Sequence, residues 1–406
     1  MRITFKKINV GLFGTYIMVM YLFDLNINTL WISKVVFLMF AISTLISLFI
    51  AKKVTLNLFF WLFGLFVFYS AISIFWAVES NLALKMTLTL FQLLILGFCV
   101  TQTFDKENIE IIPHFFALAG ALLFLYSLYI YGIKDFFVSI INSKRLGAQI
   151  SQENIYGFQS AISIVAALYL MFFKKKYIYV LVCLALLFVI AASGSKSALL
   201  IVPIGFIIVI LLKYGVNRKA ILFFILLIVF SIALLNTPIF KGVIHRIQKM
   251  LEVLLYGNTA QDGSTTKRLE FIIEGIVLFF KKPLFGYGAD NFRVIIAPIL
   301  GVSTYSHNNY IELLVNGGII GFLLFYFSYF VLILEAFSKK LDKFLLIIMI
   351  LFLIADMATV SLYSKIFVIF LSLGFSSLEG ANNETVEVKK YSTKYKKSMI
   401  STPILG

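Results

Sequence analysis

The chain has 406 residues, 61% of them hydrophobic and only 13% charged, with a mean hydropathy of +1.00. Soluble domains are about 45–50% apolar and about 25% charged, so this composition excludes an ordinary soluble protein and points to an integral membrane protein. The apolar runs are continuous rather than alternating, which excludes an outer-membrane barrel. The net charge of +16 does not signal nucleic acid, because most basic residues stand in short segments between apolar runs, where they set topology.

Taken in chain order, the apolar runs predict twelve membrane helices, near 9–28, 29–50, 57–76, 86–103, 115–132, 158–173, 177–193, 198–212, 220–237, 309–335, 344–361 and 363–378. Residues 1–8 read as a positive flank before a retained first span. Cys99 and Cys183 fall inside apolar runs and read as packing residues. Alternate loops are basic: Arg2, Lys6 and Lys7; Lys52 and Lys53; Lys106; Lys174 to Lys176; Lys213, Arg218 and Lys219; Lys339, Lys340 and Lys343; and the lysines of the tail. The positive-inside rule makes these cytoplasmic, with both termini inside. The expected fold class is an all-α polytopic membrane protein of about twelve transmembrane helices. It forms a single domain over 1–378, followed by a disordered cytoplasmic tail over 379–406.

Two predicted external loops are long, 133–157 and 238–308, and function concentrates in such loops. In the larger one, "KGVIHRIQKMLEVLL" (241–255) places Ile244, Ile247, Met250, Leu251 and Leu254 on one helical face and Lys241, His245, Arg246 and Lys249 on the other. This is an amphipathic helix able to lie on the membrane surface, and its cations read more simply as headgroup contacts than as a site. "GNTAQDGSTT" (257–266) is a flexible turn region, 267–280 a second helix, and 281–292 a Pro/Gly turn segment.

External cations break the topological rule and call for another reason. Arg268, after a Gly/Ser/Thr turn at a helix start, fits an anion ligand, most plausibly for phosphate. Lys196 in "SGSKSALL" (193–200) has two readings: a point charge for phosphate, or a lysine snorkelling beside a tight helix junction. The motif lacks the frame of a nucleotide phosphate loop. In the smaller loop Lys144, Arg145 and Asn154 are expected to line the site. The knot Ser306-His307-Asn308-Asn309 stands at the mouth of a span, with Glu312 just inside it. A lone histidine is usually structural. Here it is flanked by amides on the basic face, and an intramembrane carboxylate is a functional-site hypothesis by default. Glu312 would orient His307 or pair with Arg268. No metal-ligand spacing is present. Gly317, Gly318 and Gly321 read as packing glycines, with a helix kink as a further possibility.

"RLEFIIEGIVLFFKKPLFGYGADNF" and "SHNNYIELLVNGGIIGFLLF" resemble the shared C-terminal region of bacterial O-antigen ligases and of O-antigen or capsule polymerases of the Wzy type, over about 268–330. "SGSKSALL" and "ENIYGFQSA" (153–161) add weaker support. The resemblance implies a GT-C-like, metal-independent glycosyltransferase without a cofactor. It would act at the outer face of the bacterial inner membrane and transfer glycan from an undecaprenyl-diphosphate-linked oligosaccharide to a sugar acceptor. It puts the family's histidine on His307, as general base or acceptor-orienting group, and a diphosphate-binding arginine on Arg268. A second family arginine falls on Lys196, a departure that keeps the charge but loses the bidentate fork. Asn308, Glu312, Arg145 and Asn154 complete the expected substrate-binding set. Membrane lipids are expected partners, a chain-length regulator is a further candidate partner, and nucleic acid is not. The preferred reading is a polymerase of lipid-linked repeat units, with a ligase to lipid A-core as the alternative. A lipid-linked oligosaccharide flippase fits less well, because the charge clusters on one face and the halves differ.

Overall fold

The computed structural model describes residues 2–378 except 25, 258, 259, 261, 339 and 340; the predicted tail, 379–406, and Lys339 and Lys340 of the last basic loop lie outside the described residues. The described residues form helices and connections without a strand. In order the helices are α1 (Arg2–Phe23), α2 (Leu30–Ala51), α3 (Leu58–Ser73), α4 (Ser80–Thr103), α5 (Ile112–Tyr131), α6 (Ile133–Ile141), α7 (Glu153–Lys174), α8 (Val180–Ser193), α9 (Lys196–Tyr214), α10 (Arg218–Leu235), α11 (Lys241–Tyr256), α12 (Gly263–Lys281), α13 (Phe292–Leu300), α14 (Asn309–Phe337), α15 (Lys343–Ala355) and α16 (Lys365–Leu378). Among the described residues seven helices are long and apolar enough to cross a membrane, namely α2, α4, α5 with the turn before it, α7, α9, α10 and α14, while α3, α8, α15 and α16 are shorter apolar helices. Each predicted apolar segment falls on one of these helices or on α1.

α7 is the centre of the bundle. It packs against α5, α8 and α9 and is buried along most of its length. Its sequence explains this: Ser160, Ala161, Ser163, Ala166 and Ala167 keep its surface shallow, so neighbouring backbones approach closely. Polar contacts pin the two ends of the bundle. At one end Lys6 pairs with Asp105, Lys174 with Glu110 at 2.7 Å, and Gln102 donates to the Thr55 carbonyl. At the other, Lys365 pairs with Asp24 and Asn26 donates to the Gln149 carbonyl. The described residues of the long connections over 133–152 and 236–308 lie at this second end.

Two departures from the predicted helices shape that end. α14 is broken at Gly318, which sits at φ +60° and ψ −165°. The turn after α12 docks into the break. Tyr287 and Gly288 N–H donate to the carbonyls of Val315 and Asn316, and Ile319 and Ile320 N–H donate to those of Pro283 and Leu284. A Cβ on Gly318 would lie 2.3 Å from the Leu284 oxygen, so the break needs a residue with no side chain as well as one tolerant of positive φ. The predicted continuous span over 344–361 is also corrected, because α15 ends at Ala355. Asn309 supplies the physical reason. Its backbone N–H donates to the Asp356 carbonyl, its amide donates to Asp356 Oδ2 and Tyr326 Oη, and its Oδ1 accepts from the N–H groups of Ser361 and Leu362. One buried side chain thus satisfies the backbone groups that a helix break would otherwise orphan.

Candidate active site

The site is built where the α8–α9 junction, the 142–152 loop, α11, the start of α12 and the segment before α14 converge. α8 ends at Ser193, and Gly194 caps it in the left-handed conformation at φ +60°. Ser195 then caps α9 by accepting from the Ala198 N–H. The tight reversal turns the last carbonyls of α8 outward, at the negative end of its dipole, where cations are favoured. Two arginines take them. Arg145 Nε donates to the Ser193 carbonyl at 2.9 Å, and Arg246 Nη1 to the Gly194 carbonyl at 2.7 Å. A Cβ on Gly194 would come within 3.1 Å of Arg246 Nη1 and 3.2 Å of Arg145 Cγ, so the glycine makes room for both. Arg145 Nη2 also donates to Asn154 Oδ1 at 3.0 Å.

Lys196 opens α9, and its Nζ meets Asp262 Oδ2 at 2.6 Å and Thr265 Oγ1 at 3.1 Å. The two charged side chains are 13% and 14% exposed. Asp262 also caps α12, accepting from the N–H groups of Ser264 and Thr265. The helix therefore starts at Gly263, and the last residues of the predicted turn form its first turn. Burial works to raise the Asp262 carboxyl, but hydrogen bonds from Lys196, Thr265 and Ser264 outweigh it and hold the group well below the usual carboxylate range.

Arg268 lies further along α12. Burial, opposed by Tyr305 and Asp262 and reinforced by Arg246, lowers its affinity for its proton; burial and the charges of Arg246 and Arg268 do the same at Arg145. Arg145, Lys196, Arg246 and Arg268 thus form one electrostatic cluster, and Asp262 is the carboxylate paired within it.

His307 faces α12. Its ring stacks on Phe271, centroids 6.3 Å apart, and tilts against Tyr305 at 4.2 Å. Its backbone is left-handed, φ +57°, a conformation costing about 1 kcal/mol or more that its surroundings must impose. They do so through Ser306 and Asn308. The Ser306 N–H donates to Glu312 Oε2 at 2.7 Å, Ser306 Oγ to the Asn308 carbonyl at 2.7 Å, and Asn308 Oδ1 accepts from the Ile311 N–H as the cap of α14. Burial first, and Arg268 second, lower the His307 pKa to about 4. The imidazole is therefore neutral at pH 7 and a weaker base than its unperturbed value near 6.5 suggests.

The structure thus joins Arg145 to Asn154 by a hydrogen bond and places Lys196 and Arg268 in one charge cluster with His307 beside it. Lys144 is exposed. Asn308 spends its amide on the α14 cap and on the Met357 carbonyl. Glu312 lies inside the fold. It is 2% exposed, and its oxygens accept from the Ser306 N–H and Asn316 Nδ2. It therefore holds the turn that carries His307. Sequence reasoning missed two members. Arg246 was read as a headgroup contact on the polar face of an amphipathic helix, yet the buried positions of α11 are Val243 and Val253, and Arg246 follows Val243 at i+3. Asp262 was not singled out within the 257–266 turn region; the signal for it was an Asp-Gly-Ser-Thr start to a helix, a capping pattern.

Residues 181–326 match the family model described as O-antigen ligase. The matched window holds Lys196, Arg246, Asp262, Arg268, His307 and Glu312, and leaves Arg145 and Asn154 outside it. No curated protein matches the chain.

Proposed function

From a chain that carries an O-antigen ligase family domain, we propose a membrane glycosyltransferase that takes glycan from an undecaprenyl-diphosphate donor and passes it to a sugar hydroxyl. The observation that carries the reading is the half-buried imidazole of His307, packed on Phe271 of α12 and acted on by Arg268, a member of the cluster of four cations. A polyprenyl diphosphate brings negative charge to the end of a helix bundle, and its charge grows as the bond to the sugar breaks. Arg268, Lys196, Arg145 and Arg246 would stabilise that growing charge, which is electrostatic catalysis. His307 would accept the proton of the attacking hydroxyl. The new bond forms between the acceptor oxygen and the donor anomeric carbon, the old bond between that carbon and the diphosphate oxygen breaks, and undecaprenyl diphosphate leaves as the anion. The low basicity of His307 fits this order of events. A bound diphosphate offsets the charge of Arg268 and raises the proton affinity of the imidazole, so the base gains strength when the donor is in place.

In this reading the chain is a GT-C-like protein with twelve spans and cytoplasmic termini, and the site faces outward. The acceptor is a second lipid-linked repeat unit, which makes the protein a polymerase. The family description favours lipid A-core as the second reading. Cells carrying His307→Ala should lose long or ligated glycan while membrane-inserted protein stays at its normal level. Long glycan at normal amounts would refute the general-base role, and supplying each acceptor separately to the wild-type protein tells polymerase from ligase.

A further inference from the structure

The position of Asp262 is peculiar for a diphosphate site. It is the one carboxylate bonded to a cluster cation among the described residues, and it occupies Lys196 directly, 2.6 Å from Nζ to Oδ2. The pair is nearly enclosed, the side chains being 13% and 14% exposed, so it is not a solvent-screened surface bridge of small worth. Lys196 is a single ammonium on a flexible stem, and two of its three donors are already engaged by Asp262 Oδ2 and Thr265 Oγ1. The arginines differ. Arg145 and Arg246 donate only to neutral acceptors, backbone carbonyls and the Asn154 amide.

Building on the transferase reading, we propose that Asp262 is a resident counter-anion: it holds Lys196 in the empty site and is displaced from it when the diphosphate binds. Lys196 then changes partner from carboxylate to phosphate, and the start of α12, which Asp262 caps, shifts with the exchange. Because α12 also carries Arg268 and Phe271, the exchange couples arrival of the donor to the position of the helix face that meets His307. Asp262 thereby sets the threshold of donor affinity. A carboxylate in competition with the ligand keeps the site closed to weaker anions, such as isolated phosphates, that cannot supply enough charge to replace it.

The cap and the charge of Asp262 can be separated, since Asn and Ser cap helices about as well as Asp. The test is binding of undecaprenyl diphosphate to the full chain in lipid nanodiscs, for wild type, Asp262→Asn and Asp262→Ser, with inorganic phosphate as a second probe. The expected result is tighter diphosphate binding by about tenfold in both variants, from removal of one negative charge beside the ligand, together with inorganic phosphate binding that the wild type lacks. Unchanged or weaker binding in both variants, with the wild type binding normally, overturns the inference and makes Asp262 a residue that positions Lys196. If wild type and Arg268→Ala both fail to bind the diphosphate, the transferase reading itself falls, and the inference with it.

Discussion

Replacing Arg246 by Ala should slow glycan transfer without unfolding the protein. Arg246 donates a 2.7 Å hydrogen bond to the Gly194 carbonyl, and a hydrogen bond from a charged group is worth about 1.5–3 kcal/mol. Opposing this in the empty protein, its charge repels Arg145 and Arg268, each of which holds its proton less firmly because of it. The repulsion works against the hydrogen bond, so the loss of thermal stability should stay below the roughly 3 kcal/mol of the bond alone. In the transition state no such offset exists. One cation in four is lost from around a leaving diphosphate, and at an effective dielectric near 20 a unit charge about 6 Å away contributes roughly 3 kcal/mol. Transfer should therefore fall by about 100-fold. The assay is kcat/KM for a lipid-linked oligosaccharide donor with purified protein in nanodiscs, with a melting curve beside it. Lys241→Ala serves as the control, since that side chain is exposed on the same helix. Equal activity in the two variants would refute the reasoning, as would a loss of activity that merely tracks a loss of folded protein.

Three further outcomes follow from the geometry. Burial and Arg268 disfavour the His307 imidazolium, so an NMR titration of the labelled histidines should find His307 neutral down to about pH 4, and Arg268→Gln, which removes a positive neighbour, should move its midpoint upward; a midpoint near 6.5 in wild type contradicts the packing described. Gly318→Ala forces a side chain into a left-handed position 2.3 Å from the Leu284 oxygen and should lower stability by at least about 1–3 kcal/mol, whereas Gly317→Ala, whose Cβ would meet only Tyr69 at 3.5 Å, should melt near wild type. Glu312→Gln turns one acceptor into a donor facing the Ser306 N–H or Asn316 Nδ2, and Asn316 resists flipping because its Oδ1 holds the Phe292 N–H at 2.6 Å; the cost of about 1–3 kcal/mol should appear as a lower kcat with donor affinity retained.

The helices were legible because apolar runs bounded by charged loops carry their own boundaries, and the charge pattern singled out Arg145, Lys196, Arg268 and His307 as candidates. What was hidden is tertiary. The end of α15 depends on Asn309, more than 40 residues upstream, whose amide holds the backbone at 356–362. The break at Gly318 exists because the 283–288 turn docks there, a contact no local spacing announces. Arg246 was misjudged because periodicity tells which residues share a helix face but not which face turns inward: Leu251, Leu254 and Leu255 remain exposed, while Val243, Arg246 and Val253 turn toward the bundle. Glu312 drew notice because an intramembrane carboxylate reads as functional by default, and only the two donors around it show how it braces the turn before α14.

In the proposed mechanism His307 acts as the base beside a diphosphate held by the cation cluster. The most direct test is single-turnover transfer by purified wild-type and His307→Ala protein in nanodiscs, with undecaprenyl diphosphate release and glycan growth measured together and donor binding measured separately. Donor binding should be retained in the variant while both products slow together by about 10²- to 10⁴-fold. Transfer at the wild-type rate by His307→Ala, or glycan growth without matching release of undecaprenyl diphosphate, would contradict that mechanism.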